Sequence, residues 1–217
     1  MAFIKRLDFS IRKECIYGLV WLALIPLIHT FFPDHVFGEN SYIENMQLAV
    51  IVAAAIISLK ISRAEQNIKI FTFIFMLSII FFLREVSHFR VFLPPSESTK
   101  RFSKWVEVFP EYGFLVPLAY KIFIGYVAYY LFFKCRKAVF LYIKNARIPV
   151  FETALATIGI VAATVSESLF HNEKGEELFE MLFYIEFAAI IWIYGFNEKF
   201  FLPARTLRGM QGNAEVP

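Results

Sequence analysis

Six long apolar segments alternate with short polar connections along this chain of 217 residues. The hydrocarbon core of a bilayer is about 30 Å thick and takes about 20 helical residues to cross. The chain is 58% hydrophobic and contains 27 Phe, and this excess over soluble proteins is concentrated in the six segments. The sequence therefore predicts an all-α, polytopic integral membrane protein with a single membrane domain over residues 1–217. We expect six transmembrane helices at about 14–32, 42–61, 69–89, 113–133, 149–170 and 178–197.

The first apolar segment follows a basic N-terminal stretch, as the apolar region of a secretory signal peptide does. No small-residue cleavage site follows it in "HTFFPDHVF". We therefore expect a retained membrane helix.

Basic residues are concentrated in every second connection, and the other three connections are acidic or mixed. The basic positions are Lys5, Arg6, Arg12, Lys13, Lys60, Arg63, Lys69, Lys134, Arg136, Lys137, Lys144, Arg147, Lys199, Arg205 and Arg208. Because cytoplasmic connections of membrane proteins carry an excess of Lys and Arg, this alternation predicts that both termini are cytoplasmic (N-in, C-in). The plasma membrane or an inner membrane is the expected location, with residues 198–217 as a cytoplasmic tail.

Two connections are expected to contact lipid. In residues 96–109, four apolar side chains recur at helical spacing, which predicts a short interfacial helix on the outer surface. These are Phe102, Trp105, Val106 and Phe109. The basic segment 134–147 is expected to lie against anionic lipid headgroups on the cytoplasmic side.

The third apolar segment ends in "FFLREVSHFRVF", which brings charges into the membrane region. Only 14 residues separate Lys69 from Arg84, about 21 Å of helix, so the helix must continue to about Phe89 to span the core. Glu85 and His88 then lie in the outer part of the span. Arg84 and Arg90 are predicted at the interface, where an ordinary Arg–Glu pair is the simplest interpretation.

Other polar residues are predicted at the same outer depth. In helix 2, Glu44 begins a stripe of polar and small residues at helical spacing. The stripe continues through Gln47, Ile51, Ala54 and Ser58. In helix 5, Glu167 follows Gly159 and Ala163 on one face, so it is expected to face the bundle interior. His29, His171 and Glu180 lie at a similar level.

Two charged residues are predicted deeper in the membrane. Lys121 in helix 4 and Glu186 in helix 6 lie at similar depth from the outer surface. A lone charge inside lipid is costly. We therefore expect Lys121 and Glu186 to form a buried ion pair.

The outer residues admit three interpretations. A divalent metal ion is possible, with carboxylate and imidazole ligands from several helices, and it would support a metal-dependent intramembrane hydrolase. The candidate ligands are Glu44, Glu85, His88, Glu167, His171 and Glu180. The favoured interpretation is binding or passage of a small cation, proton or polar headgroup. The third is a structural subunit that docks a protein partner or forms a homo-oligomer. The net charge of +3 does not favour nucleic acid as a partner.

Overall fold

The structure, a computed structural model, describes residues 6–33, 36–37, 41–62, 68–86, 108–197 and 200. This part of the chain forms six helices. They are α1 (Lys13–Phe31), α2 (Tyr42–Ser62), α3 (Ile68–Glu85), α4 (Leu115–Tyr129, π-helical Tyr130–Cys135 and Arg136–Asn145), α5 (Val150–Val165 followed by π-helical Ser166–Phe170) and α6 (Glu173–Phe196). The all-α prediction is confirmed. A parallel bridge between Leu7–Asp8 (β1) and Ile148–Pro149 (β2) ties the N-terminal segment to the start of α5.

Five of these helices are long and apolar enough to cross a bilayer, namely α1, α2, α4, α5 and α6. The exception is α3, whose 18 residues include three charged ones, Lys69, Arg84 and Glu85. The count of six spans and their orientation therefore remain predictions. Residues 96–107 of the predicted interfacial helix, and the predicted tail 198–217 apart from Phe200, lie outside the described residues.

Two helix boundaries differ from the predicted ones. α4 does not end near residue 133, because the basic segment Arg136–Asn145 continues it as a helix. α6 begins at Glu173 and not at 178. Its N-cap is Asn172, whose side chain accepts a hydrogen bond from the Gly175 backbone N–H at 3.0 Å, and acidic residues in a first turn interact favourably with the helix dipole.

The centre of the bundle is α6, which packs against α1, α2 and α5. One apolar cluster joins Ile25, Ile43 and Leu178. A second joins Ala54, Ile61, Phe71 and Ile191. α3 packs against α2, and α4 packs against α3 with most of its side chains exposed.

Small residues bring α5 and α6 into close contact, as expected for helices in lipid. A Cβ at Gly159 would lie 2.7 Å from the Phe183 backbone nitrogen and 2.9 Å from the Phe179 carbonyl oxygen. Such distances are shorter than van der Waals contact, so this crossing requires glycine.

Candidate functional site

Polar side chains collect at both ends of the helix bundle. We call one the Arg84 end, where α1, α3 and α5 finish and α2 and α6 begin. The other is the Arg12 end, where α1 and α5 begin and α6 finishes. Each end contains buried carboxylates and one arginine that pairs with them.

At the Arg84 end, the arginine links α3 to α6. Its guanidinium forms an ion pair with Glu180 and lies 3.8 Å from the neighbouring Glu85. Glu85 also accepts a hydrogen bond from the Tyr184 hydroxyl at 2.6 Å. Arg84 of "LRE" therefore pairs mainly with a glutamate of a different helix.

A cavity of about 310 Å³ opens beside this pair, between α3, α5 and α6. Its charged lining consists of the Arg84 guanidinium and three carboxylates, those of Glu167, Glu176 and Glu180. Three negative charges against one positive charge leave an excess of two negative charges when all are ionised. The polar lining is completed by Thr164 and Tyr184, and apolar side chains such as those of Phe81 and Phe183 form the remaining wall.

The stripe predicted on α2 is buried along its whole length, since Glu44, Gln47, Ile51, Ala54 and Ser58 are all buried. Gln47 donates from Nε2 to the backbone oxygen and to the carboxylate of Glu177, both at 2.9 Å. Glu177 was not among the predicted site residues, although "GEELFE" places three acids in the first turns of α6. His29 lies 3.1 Å from the Asn172 amide.

The metal interpretation is not supported. Among the residues that the structure describes, no three His, Cys, Asp or Glu side chains are grouped so that they could hold a metal ion. Two of the candidate ligands, Glu180 and Glu85, instead lie beside the guanidinium of Arg84, and Glu85 also accepts a hydrogen bond from Tyr184. His88 and Arg90 lie outside the described residues.

The π-helical turn at the end of α5 alters the expected position of Glu167 and His171. Gly159 and Ala163 are buried against α6, but Glu167 is exposed. A π turn holds more residues than an α turn, so the positions that follow are rotated out of the original face. His171 ends this segment in the left-handed conformation, with φ 48°, and is also exposed. The expectation that Glu167 faces the interior is therefore wrong, although it lines the cavity.

The predicted ion pair between Lys121 and Glu186 is not present in the structure. Lys121 is exposed on α4, whereas Glu186 is fully buried on α6 and its carboxylate lies over Gly18 of α1. The two side chains therefore have different surroundings in the bundle.

The Arg12 end contains an ion pair that the sequence analysis did not identify. Arg12 donates from Nη1 to Glu152 at 2.8 Å, and its Nη2 lies 3.1 Å from Asp8. The guanidinium also lies 4.4 Å from the centre of the Phe200 ring. Burial raises the pKa of the Asp8 carboxyl, but hydrogen bonds from Ser10 and the charge of Arg12 outweigh it, so this pKa lies below its ordinary value. Glu152 is the only acid between residues 112 and 166. An isolated acid in an apolar segment needs a partner of opposite charge, so the sequence could have suggested a basic partner for it.

Comparison of the chain with protein-family models, with curated proteins and with solved structures finds no match.

Proposed function

We propose that the cavity at the Arg84 end binds a small cation or the cationic part of a polar headgroup. The observation that carries this proposal is the lining of three carboxylates against one guanidinium. A site with an excess of negative charge, bordered by low-dielectric apolar walls, concentrates cations. Glu180 is compensated by Arg84, so Glu167 and Glu176 supply the attraction for an added positive charge.

In this proposal all six helices cross the bilayer with cytoplasmic termini, so the Arg84 end faces outward in a plasma or inner membrane. The alternation of basic connections supports this orientation. The exposed side chains of Lys134, Arg136, Lys137 and Lys144 would then contact anionic lipid on the cytoplasmic side.

The test is ligand-dependent thermal stability of purified protein in neutral detergent. A ligand that binds only the folded state raises the melting temperature in a concentration-dependent way. We expect Na⁺, Ca²⁺ or tetramethylammonium to raise it in the natural protein. The double substitution Glu167→Gln and Glu176→Gln should remove that rise.

The matched control is Glu173→Gln. Glu173 is an exposed acid in the same first turn of α6, and it does not line the cavity. This control should keep the full response. Equal stabilisation of the double variant and the natural protein would contradict the proposal, because the cation would then bind elsewhere.

A further inference from the structure

A second carboxylate site lies in the membrane interior, away from the cavity. Glu186 is fully buried on α6, and within the described part of the chain neither of its carboxylate oxygens has a hydrogen-bond partner. The carboxylate lies directly over the backbone of α1, since a Cβ added at Gly18 would overlap with Oε1. The absence of a side chain at position 18 therefore makes room for this group.

Glu152 on α5 is a second buried carboxylate and lies within electrostatic range of Glu186. The two acids differ in how their charge is compensated. Glu152 receives a hydrogen bond from Arg12 through Oε1, whereas Oε2 has no partner among the described residues. Among the described residues, no cation donates a hydrogen bond to Glu186.

The titratable side chains near Glu186 lie on α1 and α5. On α1 the thiol of Cys15 lies within electrostatic range, and on α5 the acid is Glu152. α2 has no charged residue between Glu44 and Lys60, and α3 has none between Lys69 and Arg84. On α1, Lys13 and Glu14 line a cavity together with Ile185 and Ala188 of α6, but among the described residues neither donates a hydrogen bond to the Glu186 carboxylate.

We infer that Glu186 is a proton-binding site of the membrane interior, and that Glu152, which accepts a hydrogen bond from Arg12, is the neighbouring acid that can receive its proton. A bare carboxylate costs several kcal/mol in a low-dielectric interior, and protonation removes this cost. An alkali cation needs several oxygen ligands, and the carboxyl oxygens of two glutamates are too few for it. When Glu186 loses its proton, the proton can pass to Glu152 Oε2 and towards the Arg12 end. This site does not depend on cation binding at the Arg84 end.

The experiment uses the whole protein in detergent and dicyclohexylcarbodiimide, an apolar reagent that reacts with protonated carboxyl groups. Peptide mass spectrometry should locate the adduct at residue 186 in the natural protein, with labelling that falls as the pH rises. Because this measurement needs no variant, it remains valid if Glu186→Gln fails to fold. Infrared spectra should show the carbonyl band of a protonated carboxyl, and Glu186→Gln should remove it.

A pair of glycine variants tests the geometry. Gly18→Ala forces the Glu186 carboxylate to move, so it should change the pH at which labelling falls by half. Gly125→Ala is the control, since a Cβ at that position meets nothing within 4 Å, and it should leave this pH unchanged. The inference would be overturned if residue 186 were unlabelled at every pH. It would also be overturned if Na⁺ blocked labelling at constant pH, which would indicate an alkali cation site.

Discussion

Arg12 binds two carboxylates and lies over an aromatic ring. Its partner Glu152 is fully buried, so removing the guanidinium would leave a bare carboxylate. We expect Arg12→Gln to lower the free energy of unfolding by about 3 kcal/mol. Thermal or denaturant unfolding in detergent would measure this.

The neighbouring exposed residue provides the control for Arg12. Lys13→Gln should change stability by less than about 0.5 kcal/mol. Adding Glu152→Gln to Arg12→Gln should restore part of the loss, because no buried charge then lacks a partner. Simple addition of the two single effects would argue against the pair.

For Lys121, unlike Arg12, we expect substitution to have little effect on stability. Lys121 is exposed among apolar side chains of α4, and the structure places its predicted partner Glu186 against α1. We expect Lys121→Leu to change the free energy of unfolding by less than about 0.5 kcal/mol. It should also act additively with Glu186→Gln. A loss above about 2 kcal/mol would mean that Lys121 has an ion-pair partner after all.

These residues show which part of the site the sequence could predict. Counting residues along a helix gives its approximate depth, and Glu44, Glu85 and Glu180 lie near the same end of the bundle. Counting does not give the direction in which a side chain points, which depends on the neighbours of each helix. The Lys121–Glu186 pair was wrong for that reason, and the Arg12–Glu152 pair was missed because Arg12 was assigned to the basic flank of the first helix.

At the scale of elements, the crossing of α5 and α6 depends on Gly159. A Cβ there would lie too close to the backbone of Phe183, and backbone cannot move aside as a side chain can. We expect Gly159→Ala to cost about 1–3 kcal/mol of stability, through separation of the two helices. Unfolding experiments in detergent would report the loss.

Gly125→Ala on α4 is the matched substitution, since its Cβ would meet no other atom within 4 Å. Alanine has the higher helix propensity, so this variant should be neutral or more stable by up to about 1 kcal/mol. Equal effects of the two substitutions would exclude a role for close packing at Gly159.

The helices themselves were well predicted, because each apolar segment is long and its composition leaves few alternatives. Their ends were predicted less well. The early start of α6 depends on the Asn172 cap, a local hydrogen bond that hydropathy does not reveal. The π-helical turn at Ser166–Phe170 has no characteristic pattern of apolar residues in the sequence. The orientation of Glu167 could therefore not be predicted.

For the whole molecule, the orientation in the membrane is open to a direct test. After replacement of the buried Cys15 and Cys135, single cysteines at positions 38, 100 and 174 should react with an impermeant thiol reagent added to sealed cells. Cysteines at positions 65 and 140 should react only after the membrane is opened. Labelling of the second group in sealed cells would refute the cytoplasmic assignment of both termini.

The wide separation of Arg12 and Glu152 in the sequence also determines when their ion pair can form during synthesis of the chain. Its partners are 140 residues apart, and a ribosome adds roughly 5–20 residues each second, so Glu152 follows Arg12 by roughly 7–28 s. During this interval Arg12 has no carboxylate of α5 to pair with. The strand β2 (Ile148–Pro149) directly precedes Glu152, so the bridge of β1 to β2 becomes available at the same stage as the ion pair. The N-terminal segment can therefore be joined to α5 only after the first four helices have been made.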